Sequence, residues 1–175
     1  LVVDSLLPDY GGNLFNLTGY ESRVRVNIAD VRQGTTMNYL VRGREVIFNL
    51  AGQVSHIDSM RDPHTDLDIN CRSQLTLLEA CRRAETVKRV VVASSDKAYG
   101  ESATLPYTED HPLAGRNVYD ASKSAADLLA LAYAQSYDDD RRLTRARRCQ
   151  AAGRCLHRRA AARGGRRDPR QDQHG

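Results

Sequence analysis

The sequence predicts an α/β protein built on a doubly wound parallel sheet, and three observations predict it. Short β-branched or aliphatic runs recur at Leu1–Asp4, Arg23–Ile28, Glu45–Leu50 and Lys88–Ser94. Segments with helical spacing follow the later runs, which makes the connections crossovers rather than hairpins. The β-branched run Val90–Val92 is bounded by polar residues and Gly100, the mark of a buried parallel strand whose carboxyl end opens into a ligand site. Strands alternating with helices at this spacing form parallel sheets with right-handed crossovers. At 175 residues, 41% of them apolar, the chain has room for one such domain with a real core.

The elements follow in order. Leu1-Val-Val-Asp4 is a short apolar run closed by an acid, the pattern of the second strand of a dinucleotide-binding unit. The plain alternative is an Asp that starts a turn before Ser5. No first strand with its glycine-rich, phosphate-holding turn precedes it, and Gly11-Gly12 is a turn signal without the required spacing. Arg23–Ile28 alternates and reads as the third strand, followed by Asp30-Val31 and a helix from near Thr35; Asp30 is either a binding residue or that helix's cap. Glu45–Leu50 reads as the fourth strand, and Ala51-Gly52 lets backbone approach a ligand closely. A helix is predicted over Asp66–Ala84 because Leu67, Cys71, Leu75, Leu78 and Cys81 keep near-helical spacing, with Asn70 interrupting the stripe. Lys88–Ser94 is the fifth strand. Glu101–Asn117, with Pro106 and Pro112, is an irregular loop placed to cover a substrate, and Asp120–Tyr137, rich in Ala and Leu, is helix.

The formal net charge of +4 averages two unlike parts. Residues 138–175 hold twelve arginines against five acids, with no Phe, Tyr or Trp and only Leu143 and Leu156 as large aliphatics, while residues 1–137 are net acidic. The tail cannot repay the entropy of ordering, so disorder is predicted there. Its Arg, Ala and Gly content also matches GC-rich DNA read out of frame. Cys149, Cys155 and His157 lack the paired spacing of zinc sites, and no metal is predicted. The arginines could touch phosphates, but no aromatic interleaves to stack bases, and specific nucleic-acid binding is not predicted. Cys71 and Cys81 lie about 15 Å apart along one helix at 1.5 Å per residue, too far for a disulfide. They read as small buried hydrophobes in a reducing compartment. With no membrane-length apolar run and no signal sequence, a cytoplasmic location is expected.

The chemistry concentrates in two places. Ser95, Asp96 and Lys97 leave the carboxyl end of the fifth strand, and Tyr119 and Lys123, four apart on a helix, project from one face. An ammonium held near a phenol, whose reference pKa is about 10, favours the phenolate and makes a base near neutral pH. Tyr119-Asp-Ala-Ser-Lys123, with Ser94-Ser-Asp-Lys-Ala-Tyr-Gly100 and Leu105–Leu113, closely resembles the extended short-chain dehydrogenase/reductases that act on nucleotide sugars, the NAD-dependent epimerase/dehydratase family. Within them it looks most like the 4,6-dehydratases. The resemblance covers residues 1–137 and none of the tail.

That resemblance implies a partial Rossmann-type NAD-binding domain over 1–137, truncated at both ends, with 138–175 as a separate tail. It places Asp4 on the cofactor ribose, Asp30 and Val31 at the adenine, and Ala51, Gly52, Tyr119 and Lys123 along the rest of the cofactor. It gives Tyr119 the proton of the sugar C4 hydroxyl, Lys123 the lowering of the tyrosine pKa, Ser95 the reacting oxygen and Asp96 the protonation of the departing C6 hydroxyl. Where dehydratases of thymidine-linked sugars carry Glu as the C5 base, this chain has Lys97. A buried, neutral lysine could serve; so could Lys97 merely pair with Asp96. Lys97 resembles the dehydratases of cytidine-linked glucose, so CDP-glucose is the narrow expectation. His56 follows the fourth strand as in the dehydratases and is either a ligand contact or structural. Asn70 is an Asn that the family carries in this helix, tied to the active-site strand, or a surface amide. A 4-epimerase, which needs no Asp96, is the alternative enzyme, and an inactive fragment or a basic-tailed binding module is the alternative of another class. A homodimer is implied through helices that include the one bearing Tyr119.

Overall fold

The computed structural model describes residues 1–102, 104–108 and 110–137. The expectations for the tail, among them its disorder and the Cys149, Cys155 and His157 set, lie outside the described residues.

The chain runs β1 (Val2–Asp4), β2 (Val26–Ile28), α1 (Gly34–Leu40), β3 (Val46–Asn49), α2 (His56–Arg61), α3 (Pro63–Leu67), α4 (Ser73–Arg83), β4 (Arg89–Val92) and α5 (Val118–Ser136). All four strands pair in parallel, as expected. The hydrogen-bonded ladder comes in two pieces, β1 with β2 in the register Val2 to Val26, and β3 with β4 in the register Val46 to Arg89. β3 and β4 are joined by a crossover through α2, α3 and α4, the connection a parallel pair requires.

Local chemistry sets the helix starts. Ser55, Asp62 and Asn117 each accept a backbone N–H from three residues on, at 3.2, 3.1 and 2.9 Å, and Pro63 occupies the first position of α3. α1 starts differently: Gln33 caps it with no side-chain bond, so Asp30 is not the cap.

The predicted helix over 66–84 is a longer helical run, interrupted by a π turn at Asp68–Arg72. Its buried face is not the expected stripe. Leu67 and Leu75 are exposed, whereas Asp66, Asn70, Ser73 and Gln74 are buried, followed by Leu77, Leu78, Ala80 and Cys81. Polar side chains occupy the inward face where the run passes beneath the site, and apolar spacing cannot reveal a face of that kind. π turns of this sort often mark functional sites.

The core lies between β4, α1, α4 and α5: Met37, Val41, Leu77, Leu78, Cys81, Val87, Val90, Val92 and Ala130 pack together. Cys81 is buried there and its thiol is pushed up to about 12. Cys71 is half-buried and also raised by burial. Among the described residues no helix is long and apolar enough to cross a membrane, and no group of three or more His, Cys, Asp or Glu is arranged to hold a metal.

Candidate active site

The site forms where β4 ends and α5 begins. After β4 the chain passes through Ala93 and Ser94 to Ser95, whose hydroxyl accepts from Lys97 N at 3.2 Å and so caps a 3-10 turn over Asp96–Tyr99. Gly100 closes that turn at φ 65, and a side chain there would run into the Ala114 carbonyl. Only glycine fits a left-handed backbone pressed against a carbonyl. The loop that follows is held by Tyr107, which donates its hydroxyl to Gly100 O at 2.8 Å and stacks on Tyr99.

α5 is fastened to this turn along its first two rungs. Ser124 Oγ donates to Ala98 O at 2.7 Å, and Ser94 Oγ donates to Asp127 Oδ2 at 2.6 Å. Tyr119 and Lys123 therefore reach the same end of β4, as their four-residue spacing predicts. Tyr119 is 7% exposed, and its ring packs against the His56 ring at 4.5 Å between centroids. Lys123 Nζ donates to Ala93 O at 3.3 Å.

The electrostatics depart from expectation. The Tyr119 hydroxyl is pushed above its ordinary value, first by burial and then by the carboxylates of Asp66, Asp120 and Asp96, with only the Ser95 hydroxyl pulling it down. Lys123 is itself pushed down by burial, with Asp127 and Asp66 opposing. Sequence spacing brings an ammonium to the tyrosine's side of the helix. It cannot count the burial of the phenol or the carboxylates that gather around it, and both raise it.

Asp96 and Lys97 stand at the rim. The Asp96 carboxylate accepts from Ser95 Oγ at 3.1 Å and lies 3.8 Å from Lys97 Nζ. The Lys97 side chain is 50% exposed, so the burial that a neutral lysine base requires is absent and its visible partner is Asp96.

Of the cofactor residues, Gly52 fits a close backbone approach: a Cβ there would come to 3.3 Å from Asn70 Oδ1 and 3.9 Å from Lys123 Nζ. Ala51 precedes it just beyond the end of β3. Asp4 lies exposed at the end of β1, where its Oδ1 accepts from Leu6 N at 2.8 Å, so it does start a turn. Asp30 is already engaged: Arg32 donates to both its oxygens at 2.6–3.0 Å and holds its carboxyl below the usual range. A purine amine would have to compete with that guanidinium. Val31 packs against the core, which gives it a structural task the sequence did not suggest.

Asn70 is no surface amide. It is 5% exposed; its Oδ1 accepts from Gln53 N at 2.9 Å, and its Nδ2 donates to Asp66 Oδ1 at 3.0 Å and Ser122 Oγ at 3.1 Å. It ties the loop after β3, rather than β4, to the helix of Tyr119. Gln74 makes a second tie, accepting from Asn49 Nδ2 at 3.1 Å and donating to Ala126 O at 2.6 Å. Asp66, Ser122, Gln53 and Gln74 escaped the sequence reading. The one available signal was the four-residue spacing of Asp66 and Gln74 from Asn70 along a capped helical run, and Ser122 and Gln53 carried none.

Comparison with known proteins identifies the family. Residues 9–151 match the family described as GDP-mannose 4,6 dehydratase. The low-salt glycan biosynthesis protein Agl12 of Haloferax volcanii is 36% identical over 139 residues, covering 78% of this chain and 44% of that protein. The dTDP-glucose 4,6-dehydratase of Streptomyces griseus is 34% identical over 139 residues, covering 78% of this chain and 42% of the enzyme. The crystal structure of DesIV, a dTDP-glucose 4,6-dehydratase from Streptomyces venezuelae solved with NAD bound, superposes with a TM-score of 0.73 at 32% identity, covering 78% of this chain and 42% of that one. The chain thus spans less than half the length of the relatives it matches.

Proposed function

The chain belongs to the GDP-mannose 4,6 dehydratase family, among the NAD-dependent epimerases and dehydratases of the Rossmann fold, and on that premise we propose that it carries the NAD-binding and catalytic half of a nucleotide-sugar 4,6-dehydratase. The observation that carries the reading is the convergence of Ser95, Asp96, Tyr119 and Lys123 at the carboxyl end of β4, with Gly52 open to close approach beside Lys123. NAD, when bound, supplies the acceptor for the C4 hydride, a positive ring charge, and the hydride returned after water is lost.

In this reading Tyr119 takes the proton of the C4 hydroxyl and Ser95 hydrogen-bonds the same oxygen. Burial and the carboxylates of Asp66, Asp120 and Asp96 raise the phenol in the chain alone, so positive charge brought into the site favours the phenolate that Tyr119 needs to act as a base. Lys123 keeps its ammonium directed to the strand end. The C4 ketone acidifies the C5 proton, which Lys97 takes once bound substrate covers it and it is neutral, and Asp96, beside it at the rim, gives its proton to the C6 hydroxyl, which leaves as water. Asp4, Ala51, Gly52 and Lys123 are the residues proposed to hold the cofactor, with Asp30 and Val31 contributing at the adenine only if Arg32 gives way. CDP-glucose is the narrow substrate, carried by Lys97 alone. A homodimer through the helix bearing Tyr119 is proposed as well, on the family resemblance; sedimentation of the protein with and without Leu128→Lys, at an exposed position of that helix, tests it.

A 4-epimerase is the second reading, favoured by one observation: the Asp96 carboxylate already lies against Ser95 and Lys97, and epimerisation does not need it. Turnover in deuterated water separates the two, since only dehydration removes and replaces the C5 proton. Deuterium at C5 of a 4-keto-6-deoxy product supports the dehydratase. In a protein spanning the relatives' full length, Asp96→Asn is expected to lower dehydration by about 10²–10⁴-fold, the usual worth of a general acid, while C4 oxidation persists. Unchanged dehydration by that variant would sink the role of Asp96.

A further inference from the structure

Beneath the Tyr119–Lys123 pair lies a carboxylate that the proposed reaction does not use. Asp66, on α3, is 0% exposed. Its Oδ1 accepts from Asn70 Nδ2 at 3.0 Å, and its Oδ2 has no hydrogen-bond partner. The same Asn70 amide donates to Ser122 Oγ, and Ser122 Oγ donates to Tyr119 O at 2.9 Å. Asn70 Oδ1 holds Gln53 N, and with Lys123 Nζ it flanks Gly52. A hydrogen-bonded set therefore runs from Asp66 through Asn70 and Ser122 to the Tyr119 carbonyl, with Gly52 between Asn70 and Lys123.

Burying an ionised carboxylate is costly unless something compensates it. The Oδ2 oxygen receives no hydrogen bond, and burial raises the carboxyl above its ordinary value. Against that burial stand the Ser122 hydroxyl, the charge of Lys123 and the Asn70 amide.

We propose that Asp66 is a positioning residue of the catalytic pair: its buried carboxylate fixes the Asn70 amide, which sets Ser122 and the Gly52–Gln53 turn, and with Asp127 it adds negative charge that favours the Lys123 ammonium. The proposal rests on reading Tyr119 and Lys123 as the reacting residues. The charged and titratable groups facing Asp66 are Lys123 and Tyr119 from α5 and His56 from α2. Asp127 also faces Lys123, and Asp120 and Asp96 also face Tyr119. Burial works against both charges, raising Asp66 and lowering Lys123, and each opposes the shift of the other.

The test is an NMR titration of the chain carrying carbon-13 in its lysines and aspartates, with Lys123 assigned through Lys123→Arg. In Asp66→Asn the Lys123 midpoint is expected to fall by about one pH unit or more, the size of effect a near opposite charge has on a buried group, while Lys88 and Lys97 do not move. Asp66→Glu, which keeps the charge, is expected to restore it. A folded Asp66→Asn chain with an unchanged Lys123 midpoint overturns the proposal. Should Asp66→Asn fail to fold, the wild-type chain decides: the Lys123 resonance is expected to step at the Asp66 midpoint, and a Lys123 signal blind to that titration overturns the proposal equally. No turnover is involved, so a protein inactive on every nucleotide sugar would count against the dehydratase reading and leave this one standing.

Discussion

The two strand pairs of this molecule have the same parallel geometry and unequal burial, although Phe48 of β3 is itself 65% exposed. In β3–β4 the inner strand positions Val90 and Val92 are buried, and α1, α4 and α5 pack over them. In β1–β2 no residue is fully buried, and Ile28 is 68% exposed. The groups proposed to perform chemistry, Ser95, Asp96, Tyr119 and Lys123, all stand on the first kind of support, whereas Asp4 stands on the second. Parallel hydrogen bonding alone therefore does not make a rigid platform. What separates the two pairs is the side-chain packing behind them, the larger source of stability for a half-buried strand.

Core truncation tests that contrast most directly. Leu78→Ala, at a residue 4% exposed in the well-packed half, is expected to cost about 2–5 kcal/mol in urea unfolding. Ile28→Ala in the other half is expected to cost less than about 1 kcal/mol, because its side chain loses little buried area. Equal losses at the two positions would break the comparison.

A smaller effect sharpens it through pH. Glu79 joins α4 to α5, accepting from Tyr133 OH at 2.7 Å and pairing with Arg82 at 2.9 Å, and these donors lower its carboxyl to about 2. A carboxyl depressed in the folded state adds stability that is fully present above its unfolded value of about 4.3 and is lost as pH falls toward 2. Wild type is thus expected to exceed Glu79→Gln by about 1 kcal/mol at pH 7, after allowance for solvent screening. The gap is expected to close between about pH 5 and 2, as followed by thermal unfolding at several pH values. A constant gap across that range would mean that the clamp contributes through packing rather than charge.

Much of the site was legible before any coordinates. A β-branched run ending in Ser-Ser-Asp marks a strand end, and Tyr119 and Lys123 share a helix face by spacing alone. Asp30 and Lys97 show where such legibility stops. Their residue types suit binding and catalysis, but Arg32 engages the first and solvent reaches the second, and both facts depend on where neighbouring side chains come to rest.

The sequence by itself determined the parallel α/β architecture, the order of strands and helices, and the pairing of Tyr119 with Lys123. Periodicity, caps and i to i+4 spacing are local properties, and a reader of the chain can count them. Only the tertiary structure decided that the inward face of the 63–83 run is polar beneath the site, that Asn70 joins Gln53 to Ser122, and that Asp66 is buried under the helix of Tyr119. Those outcomes rest on contacts between residues 17 to 52 positions apart. The burial and charge they create set the proton affinities of Tyr119 and Lys123, and such quantities exist only once the chain has folded around them.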